Sequence, residues 1–158
     1  METRPLRLII FMNKIICSGA LFYTLDTNRF LFLHRAIKKK NLWGLVGGTT
    51  EGSETPWEGL IREINEEIGF LPDIKKTIPL ETFISYDEHF HFHTYLCVIK
   101  EEFIPQLNEE HDGYAWVSFS KWPKPLHEGL RNTLQSKINL KKLETVFQVI
   151  NAIGDIDG

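Results

Sequence analysis

The sequence predicts a single α/β domain in which a mixed β-sheet lies between helices. A chain of 158 residues is long enough to bury one core and short for two domains. Apolar runs of strand length, separated by turn residues, recur between residues 15 and 119. One helical segment interrupts these runs and two follow them, with apolar residues at the spacing of a helix. Together the three observations favour an α/β/α sandwich.

The composition is that of an ordinary globular protein, with 42% hydrophobic residues, 25% charged residues and a net charge of -3. The acidic balance argues against broad nucleic-acid binding, which needs a basic surface, but it permits a small phosphorylated ligand. Cys17 and Cys97 fall in strand-like runs. We therefore expect reduced core thiols and a cytoplasmic setting.

The first 12 residues are expected to lie at the periphery of the domain. Leu6–Met12 is too short and too interrupted to span a membrane, and no cleavage site follows it. We therefore expect neither a targeting signal nor a membrane partner. Because Met12 comes directly before the first clear strand, it is a candidate alternative start, and a chain beginning there is expected to fold.

Two strands and a hairpin turn open the predicted sheet. Ile15–Leu25 and Arg29–Arg35 are joined by the turn residues Asp26, Thr27 and Asn28. Leu42–Val46 is predicted to be a short buried strand that enters a glycine turn at Gly47 and Gly48. The hairpin delivers Arg35 towards that turn, where its planar guanidinium suits an anion. A solvent-facing strand end is the alternative for Arg35.

A helix is predicted from Pro56 to Ile68. Thr55 can cap its start together with Glu58, Pro56 suits the first helical position, and Gly69 can end the helix in the left-handed conformation. At about 100° per residue, one face is apolar and should be buried. That face consists of Trp57, Leu60, Ile61, Ile64 and Ile68.

Glu63, Glu66 and Glu67 share a second arc of this helix, at the edge of the apolar face. Like charges about 5 Å apart repel by about 3 kcal/mol per pair at an effective dielectric of about 20. A divalent cation would reverse that sign, and oxygen ligands favour Mg2+ or Mn2+. The spacing alone leaves a metal site and a solvated acidic face both open.

The rest of the sheet is predicted from two long strands, Thr77–Asp87 and Phe90–Glu101, and a last strand, Gly113–Phe119. His89, His91 and His93 alternate on one face. Because alternate residues lie about 7 Å apart, zinc binding by all three is disfavoured, and a cleft wall or an exposed face is preferred. Tyr114, Trp116 and Trp122 could stack on a base, although aromatic residues at such spacing are more often core.

Two C-terminal helices, predicted at His127–Lys137 and Leu140–Ile153, should cover one face of the sheet. The second has an apolar stripe on or near which five residues lie: Leu140, Leu143, Phe147, Ile150 and Ile153.

The segment from Gly48 to Phe70 resembles the signature of the Nudix hydrolases, G-x5-E-x7-R-E-U-x-E-E-x-G-U, where U is a bulky apolar residue. No defined position departs from it, and the matching residues are Gly48, Glu54, Arg62, Glu63, Ile64, Glu66, Glu67, Gly69 and Phe70. One difference lies just before it, where Val46 stands in place of a proline that is frequent in the family. That difference affects the expected stiffness of the loop and not its chemistry.

The resemblance implies roles for these residues. Glu66 and Glu67 would be the principal ligands of Mg2+ or Mn2+, Glu63 a further ligand or a base, and the Gly47 carbonyl would complete the inner shell. Arg62 and Glu54 resemble the pair that braces the loop, against the alternative of an ordinary surface ion pair.

Three further site residues are expected, and the resemblance implies the last of them, a carboxylate. Arg35 and Gly48 would contact substrate. A carboxylate from the loop before the last strand would join the metal site. Glu110 is our choice for that carboxylate, although the sequence alone does not separate it from Glu109, and an exposed acidic loop is the alternative.

The activity implied is Mg2+- or Mn2+-dependent hydrolysis of a phosphoanhydride bond in a nucleoside diphosphate linked to another group. ADP-ribose or a nucleotide sugar, a dinucleoside polyphosphate and a nucleoside triphosphate all suit the motif. The alternative is a nucleotide-binding sensor that has lost turnover, but all three helix carboxylates are present. A homodimer is left open.

Overall fold

The structure, a computed structural model, describes residues 14–153. The expectations for residues 1–12, including the alternative start at Met12, lie outside the described residues. The strands are β1 (Ile15–Thr24), β2 (Arg29–Arg35), β3 (Trp43–Gly44), β4 (Val46–Thr49), β5 (Lys76–Ile84), β6 (Phe90–Ile99) and β7 (His111–Ser118), and the helices of this region are α1 (Pro56–Ile68), α2 (Glu128–Gln135) and α3 (Lys137–Ile153).

The strands form one sheet of seven strands, and the sheet is mixed, as predicted. Its main path runs β3-β2-β1-β6-β5, while β4 pairs with the first half of β1 and β7 pairs with β2. β1 and β6 are parallel, and the other pairs are antiparallel. Every residue of β1 from Ser18 to Thr24 is buried, because this central strand is covered on both faces.

Helices cover the two faces of the sheet and enclose two apolar cores. Successive residues of a strand point to opposite faces, so β1 and β2 contribute to both cores. The core on the α1 side includes Ala20, Phe22, Leu31, Leu33, Val46, Leu60, Ile64 and Ile68. The core on the side of α2 and α3 includes Leu21, Tyr23, Phe30, Phe32, Leu134, Leu143 and Ile150. The architecture is the predicted α/β/α sandwich.

Helix α1 begins and ends where local chemistry predicts. The Thr55 hydroxyl accepts a hydrogen bond from the Glu58 backbone N–H, and the Glu58 carboxylate accepts one from the Thr55 N–H. Gly69 ends the helix in the left-handed conformation, with φ at 86°. Leu60, Ile64 and Ile68 are fully buried, so the predicted apolar face is the packed face.

Residues 42–46 do not form one strand as expected. The chain changes partner at Leu45, because β3 pairs with β2 whereas β4 pairs with β1. As a result Gly47 and Gly48 lie inside β4, opposite Gly19 and Ser18, and not in a turn. The signature therefore starts on a strand of the sheet.

Other differences are smaller. β7 begins at His111, two residues before the predicted start, and α3 begins at Lys137 instead of Leu140. Ile153 is 62% exposed, so the buried stripe of α3 ends at Ile150. Cys97 is buried, but Cys17 is only half-buried. Within residues 14–153, no helix is both long enough and apolar enough to cross a lipid bilayer.

Candidate active site

A cleft of about 570 Å³ brings the predicted site residues together on the α1 side of the sheet. Its walls come from the end of β2, from β4 and the loop after it, from α1, and from the loop before β7. The lining residues are Arg35, Gly47, Gly48, Thr49, Thr50, Glu51, Glu63, Glu66, Glu67, Asn108 and Glu110. Every predicted metal-binding and substrate-binding residue is in this set. The cleft is acidic, because the set has five glutamates and one arginine.

The two glycines of strand β4 have close neighbours, because Gly48 lies against a carboxylate of helix α1 and Gly47 against the backbone of strand β1. A Cβ added to Gly48 would lie 2.5 Å from Cδ of Glu63, and one added to Gly47 would lie 2.0 Å from the backbone oxygen of Ser18. The Gly47 N–H also donates a hydrogen bond to Oε1 of Glu67 at 2.7 Å. The double glycine therefore lets two carboxylates of α1 lie directly against the sheet.

Arg62 connects one end of the cleft into a single network. Its Nε and Nη2 donate to the two carboxylate oxygens of Glu54 at 2.9 and 3.1 Å. Its Nη1 donates to Glu63 at 3.0 Å, and Nη2 also reaches the backbone oxygen of Thr49 at 2.9 Å. Hydrogen bonding to Glu54 raises the pKa of Arg62, and hydrogen bonding from Arg62 lowers the pKa of Glu54. Arg62 therefore does more than form a single surface ion pair, because it joins Glu54, Glu63 and the Thr49 backbone.

Glu67 lies at the buried end of the cleft and is only 4% exposed. Burial raises its pKa to about 8, the negative charges of Glu63 and Glu110 add to the effect, and the Gly47 N–H and Arg35 oppose it. Burial also raises the pKa of Glu63, against the hydrogen bond from Arg62. Carboxylates that resist ionisation in this way are those that a nearby cation would stabilise most.

Two buried polar atoms beside Glu67 have no hydrogen-bond partner. Among residues 14–153 they are Nε of Arg35 and Nδ1 of His111, the two such side-chain atoms in this region. An unpaired buried polar group costs about 1–3 kcal/mol, so native proteins rarely keep one without a reason. Arg35 lines the cleft, and His111 lies beside it, with a ring nitrogen within 4.8 Å of a carboxylate oxygen of Glu67 and of Glu110.

A β-bulge places His111 next to Arg35. In the pairing of β2 with β7, His34 lies opposite Gly113 and Arg35 opposite His111, so Asp112 is the extra residue. Without the bulge, Asp112 would lie opposite Arg35. Because residues that lie opposite each other share a face, His111 points to the side of the sheet that carries α1.

Two residues at or just before the start of β7 were not candidates in the sequence analysis: Asn108, which lines the cleft, and His111, which lies beside it. The Asn108 side chain donates to the backbone oxygen of Glu66 at 3.1 Å and accepts from the Glu110 N–H at 3.0 Å. It therefore ties the loop before β7 to α1 and directs Glu110, but not Glu109, to the cleft wall. The nearest sequence signal was their position in the same acidic loop as Glu110.

The aromatic and histidine candidates lie elsewhere. Trp116 packs in the α1-side core and donates its indole N–H to the Phe103 carbonyl, while Trp122 packs in the core under α2 and α3. Tyr114 is 39% exposed. The residues that line the cleft include none of the three alternating histidines of the β6 region.

The site consists of a glycine-rich strand and a helix whose carboxylates lie against that strand. Comparison with known sequences identifies the family to which such a site belongs. The profile of the NUDIX domain matches residues 17–136. The chain belongs to the Nudix family. A dihydroneopterin triphosphate diphosphatase of Haemophilus influenzae is 37% identical to it, over 63% of this chain and 71% of its own length. The protein is a Nudix pyrophosphohydrolase that acts on nucleotide-like substrates.

Solved structures support the fold. An Ap4A hydrolase of C. elegans superposes with a TM-score of 0.64 at 18% identity, covering 85% of this chain and 99% of its own. A MutT protein of Methanosarcina mazei Go1 superposes with a TM-score of 0.59 at 23% identity, covering 84% of this chain and 94% of its own. Both match the sandwich of helices around a mixed sheet.

Proposed function

We propose that this Nudix hydrolase uses Mg2+ or Mn2+ to cleave a phosphoanhydride bond in a triphosphate that carries a heteroaromatic head group. Dihydroneopterin triphosphate is the first candidate, and nucleoside triphosphates are the next. The observation that carries the proposal is the cleft in which Glu63, Glu66, Glu67 and Glu110 face Arg35. The 37% identity to a diphosphatase named for dihydroneopterin triphosphate supports the choice of substrate.

The residues of the cleft fit a divalent cation. Its carboxylates supply hard oxygen donors, which Mg2+ and Mn2+ prefer. A carboxylate oxygen from each of Glu67 and Glu110 and a ring nitrogen of His111 lie within 4.8 Å of one another. Burial raises the pKa of Glu63 and of Glu67, and a bound cation would favour the charged form of both carboxylates. The chemistry that a bound divalent cation supplies is neutralisation of phosphate charge and activation of water.

The roles proposed for the carboxylates are those that the resemblance to the family implies. Glu66 and Glu67 serve as the principal metal ligands, with the Gly47 carbonyl and Glu110 beside them. Glu63 serves as a further ligand or as the base that accepts a proton from the attacking water. Water adds to the phosphorus nearest the head group, the bond to the bridging oxygen breaks, and diphosphate leaves.

The remaining residues position these groups. Arg62, held by Glu54, fixes the Glu63 carboxylate against β4. Gly48 leaves room for that carboxylate and for a phosphate to approach the backbone. Arg35 offers its unpaired Nε to a phosphate oxygen. Most of the catalytic effect then comes from fixed charges and orientation.

The test is a substrate panel with purified protein. Dihydroneopterin triphosphate, GTP, a dinucleoside polyphosphate and ADP-ribose are compared with Mg2+, with Mn2+ and with EDTA. We expect metal-dependent release of diphosphate, with the highest kcat/KM for a triphosphate. Turnover in EDTA would contradict the metal dependence, and turnover of ADP-ribose alone would contradict the substrate class.

A sensor without turnover is the second candidate, and it predicts a different result. Such a protein would bind metal and triphosphate in this panel but release no product. The presence of Glu63, Glu66 and Glu67 in one cleft favours the enzyme, because a pure sensor needs no set of water-activating carboxylates.

A further inference from the structure

We propose that His111 supplies a nitrogen ligand to the metal site, next to Glu67 and Glu110, and that this ligand makes the site prefer Mn2+ to Mg2+. The inference rests on the proposed function, because it assumes that the cation binds at the carboxylate cleft. It adds a ligand that the acidic signature on α1 does not contain.

The first support is geometric. One ligand atom each from Glu67, Glu110 and His111 lie within 4.8 Å of one another, and no other group of three such residues in the described part of the chain does so. Ligands of one octahedral ion at about 2.1 Å are separated by about 3 Å when adjacent and about 4.2 Å when opposite. The three atoms are therefore close enough for their side chains to draw in around one ion, with at most one pair in opposite positions and the other pairs adjacent.

The second support is the state of the histidine ring. His111 is only 7% exposed, yet its Nδ1 has no hydrogen-bond partner. A structural core histidine would have its buried nitrogen paired. The bulge at Asp112 also turns His111 to the face of the sheet that carries the carboxylates. A buried imidazole nitrogen that has no partner, close to two carboxylates, is available to bind a cation.

The third support is chemical. Carboxylate oxygens suit both Mg2+ and Mn2+, whereas imidazole is a better ligand for the divalent ions of the first transition series than for Mg2+. One nitrogen among oxygen ligands shifts the relative affinity towards Mn2+ and further towards Co2+. The signature carboxylates alone give no such shift.

The test is pulsed EPR of the full chain loaded with Mn2+ at less than one equivalent. Directly coordinated imidazole gives a 14N modulation of the Mn2+ echo. We expect that modulation in the unaltered protein, its loss in His111→Gln, and its retention in His91→Gln, which alters a histidine outside the cleft. Absence of 14N modulation in the unaltered protein overturns the proposal without relying on any variant.

Affinity measurements complete the design. In competition titrations, His111→Gln should weaken Mn2+ binding by about tenfold or more and Mg2+ binding by much less. Equal losses for both ions would contradict the preference. Glu67→Gln separates the two proposals: if it leaves Mn2+ binding unchanged, the carboxylate site itself is wrong. If it abolishes Mn2+ binding while the bound ion in the unaltered protein shows no 14N signal, only the assignment of His111 is wrong.

Discussion

The two ends of the cleft differ in how completely their polar groups are paired. At the braced end, Arg62 donates to Glu54, to Glu63 and to the Thr49 carbonyl. At the buried end, Glu67 has a pKa raised to about 8, and Nε of Arg35 and Nδ1 of His111 have no partner. The polar groups of the braced end have hydrogen-bond partners within the protein, whereas two polar atoms at the buried end have none.

From this difference we propose that the braced end keeps the shape of the cleft and that the buried end binds the ligand. A fully paired guanidinium keeps β4, the loop and α1 in register before anything binds. Unpaired buried groups cost stability in the free protein, and a bound cation or phosphate removes that cost. Substitutions at the braced end should therefore affect stability, and those at the buried end should affect ligand binding.

The largest effect is expected from Glu67→Gln. The amide keeps the shape and can still accept from the Gly47 N–H, but it removes a charge from the proposed metal site. We expect kcat to fall about a thousandfold, which corresponds to about 4 kcal/mol, with no loss of folding stability. Steady-state assays and urea unfolding measure the two. Glu144→Gln, at an exposed position on α3, is the matched control. A near-normal kcat in Glu67→Gln would contradict a catalytic role for the buried end of the cleft.

The next effect is expected from Arg62→Ala, which breaks the braced end. The carboxylates of Glu54 and Glu63 and the Thr49 carbonyl lose a shared donor, so the free energy of unfolding should fall by about 2–3 kcal/mol. Arg62→Lys keeps the charge but not the planar fork and should recover only part of that loss. Full recovery by lysine would show that charge alone is needed.

The pH dependence of stability tests the buried end. Because the pKa of Glu67 is about 8 in the folded protein and 4.5 is its ordinary value, the folded state holds a proton that the unfolded chain has released. Stability of the metal-free protein should therefore fall as pH rises, by about 2 kcal/mol between pH 6 and pH 8. Urea unfolding in EDTA measures this fall. It should be much smaller in Glu67→Gln, in which Glu63 still has a raised pKa, and an equal fall in that variant would assign the effect to other groups.

The smallest effect is expected from Arg35→Lys. Lysine keeps a positive charge near the cleft but loses the guanidinium Nε that the structure leaves unpaired. We expect KM for the triphosphate to rise about tenfold, or about 1.4 kcal/mol, with a smaller change in kcat. Lys38→Gln, on the exposed loop that follows, serves as control. Unchanged KM in Arg35→Lys would place the phosphate elsewhere.

The sequence by itself determined the helix α1, the family and most of the carboxylates. Thr55, Glu58 and Gly69 act within a few residues of their own positions, and the spacing of Glu63, Glu66 and Glu67 is set by the period of one helix. Helix caps and side-chain spacing along one helix depend on residues close together in the chain, so the sequence alone predicts them. The apolar runs likewise indicated the sheet, because burial on both faces demands continuous apolar residues.

Only the tertiary structure decided which distant residues meet at the cleft. Residues 42–46 are divided between β3 and β4 because β3 pairs with β2 whereas β4 pairs with β1. The choice of Glu110 over Glu109 depends on Asn108 bonding to α1, and the position of His111 depends on a one-residue bulge against β2. A shift of one residue in strand pairing turns a side chain to the opposite face. Register between distant strands is a property of the whole packed sheet, and no local pattern in the chain contains it.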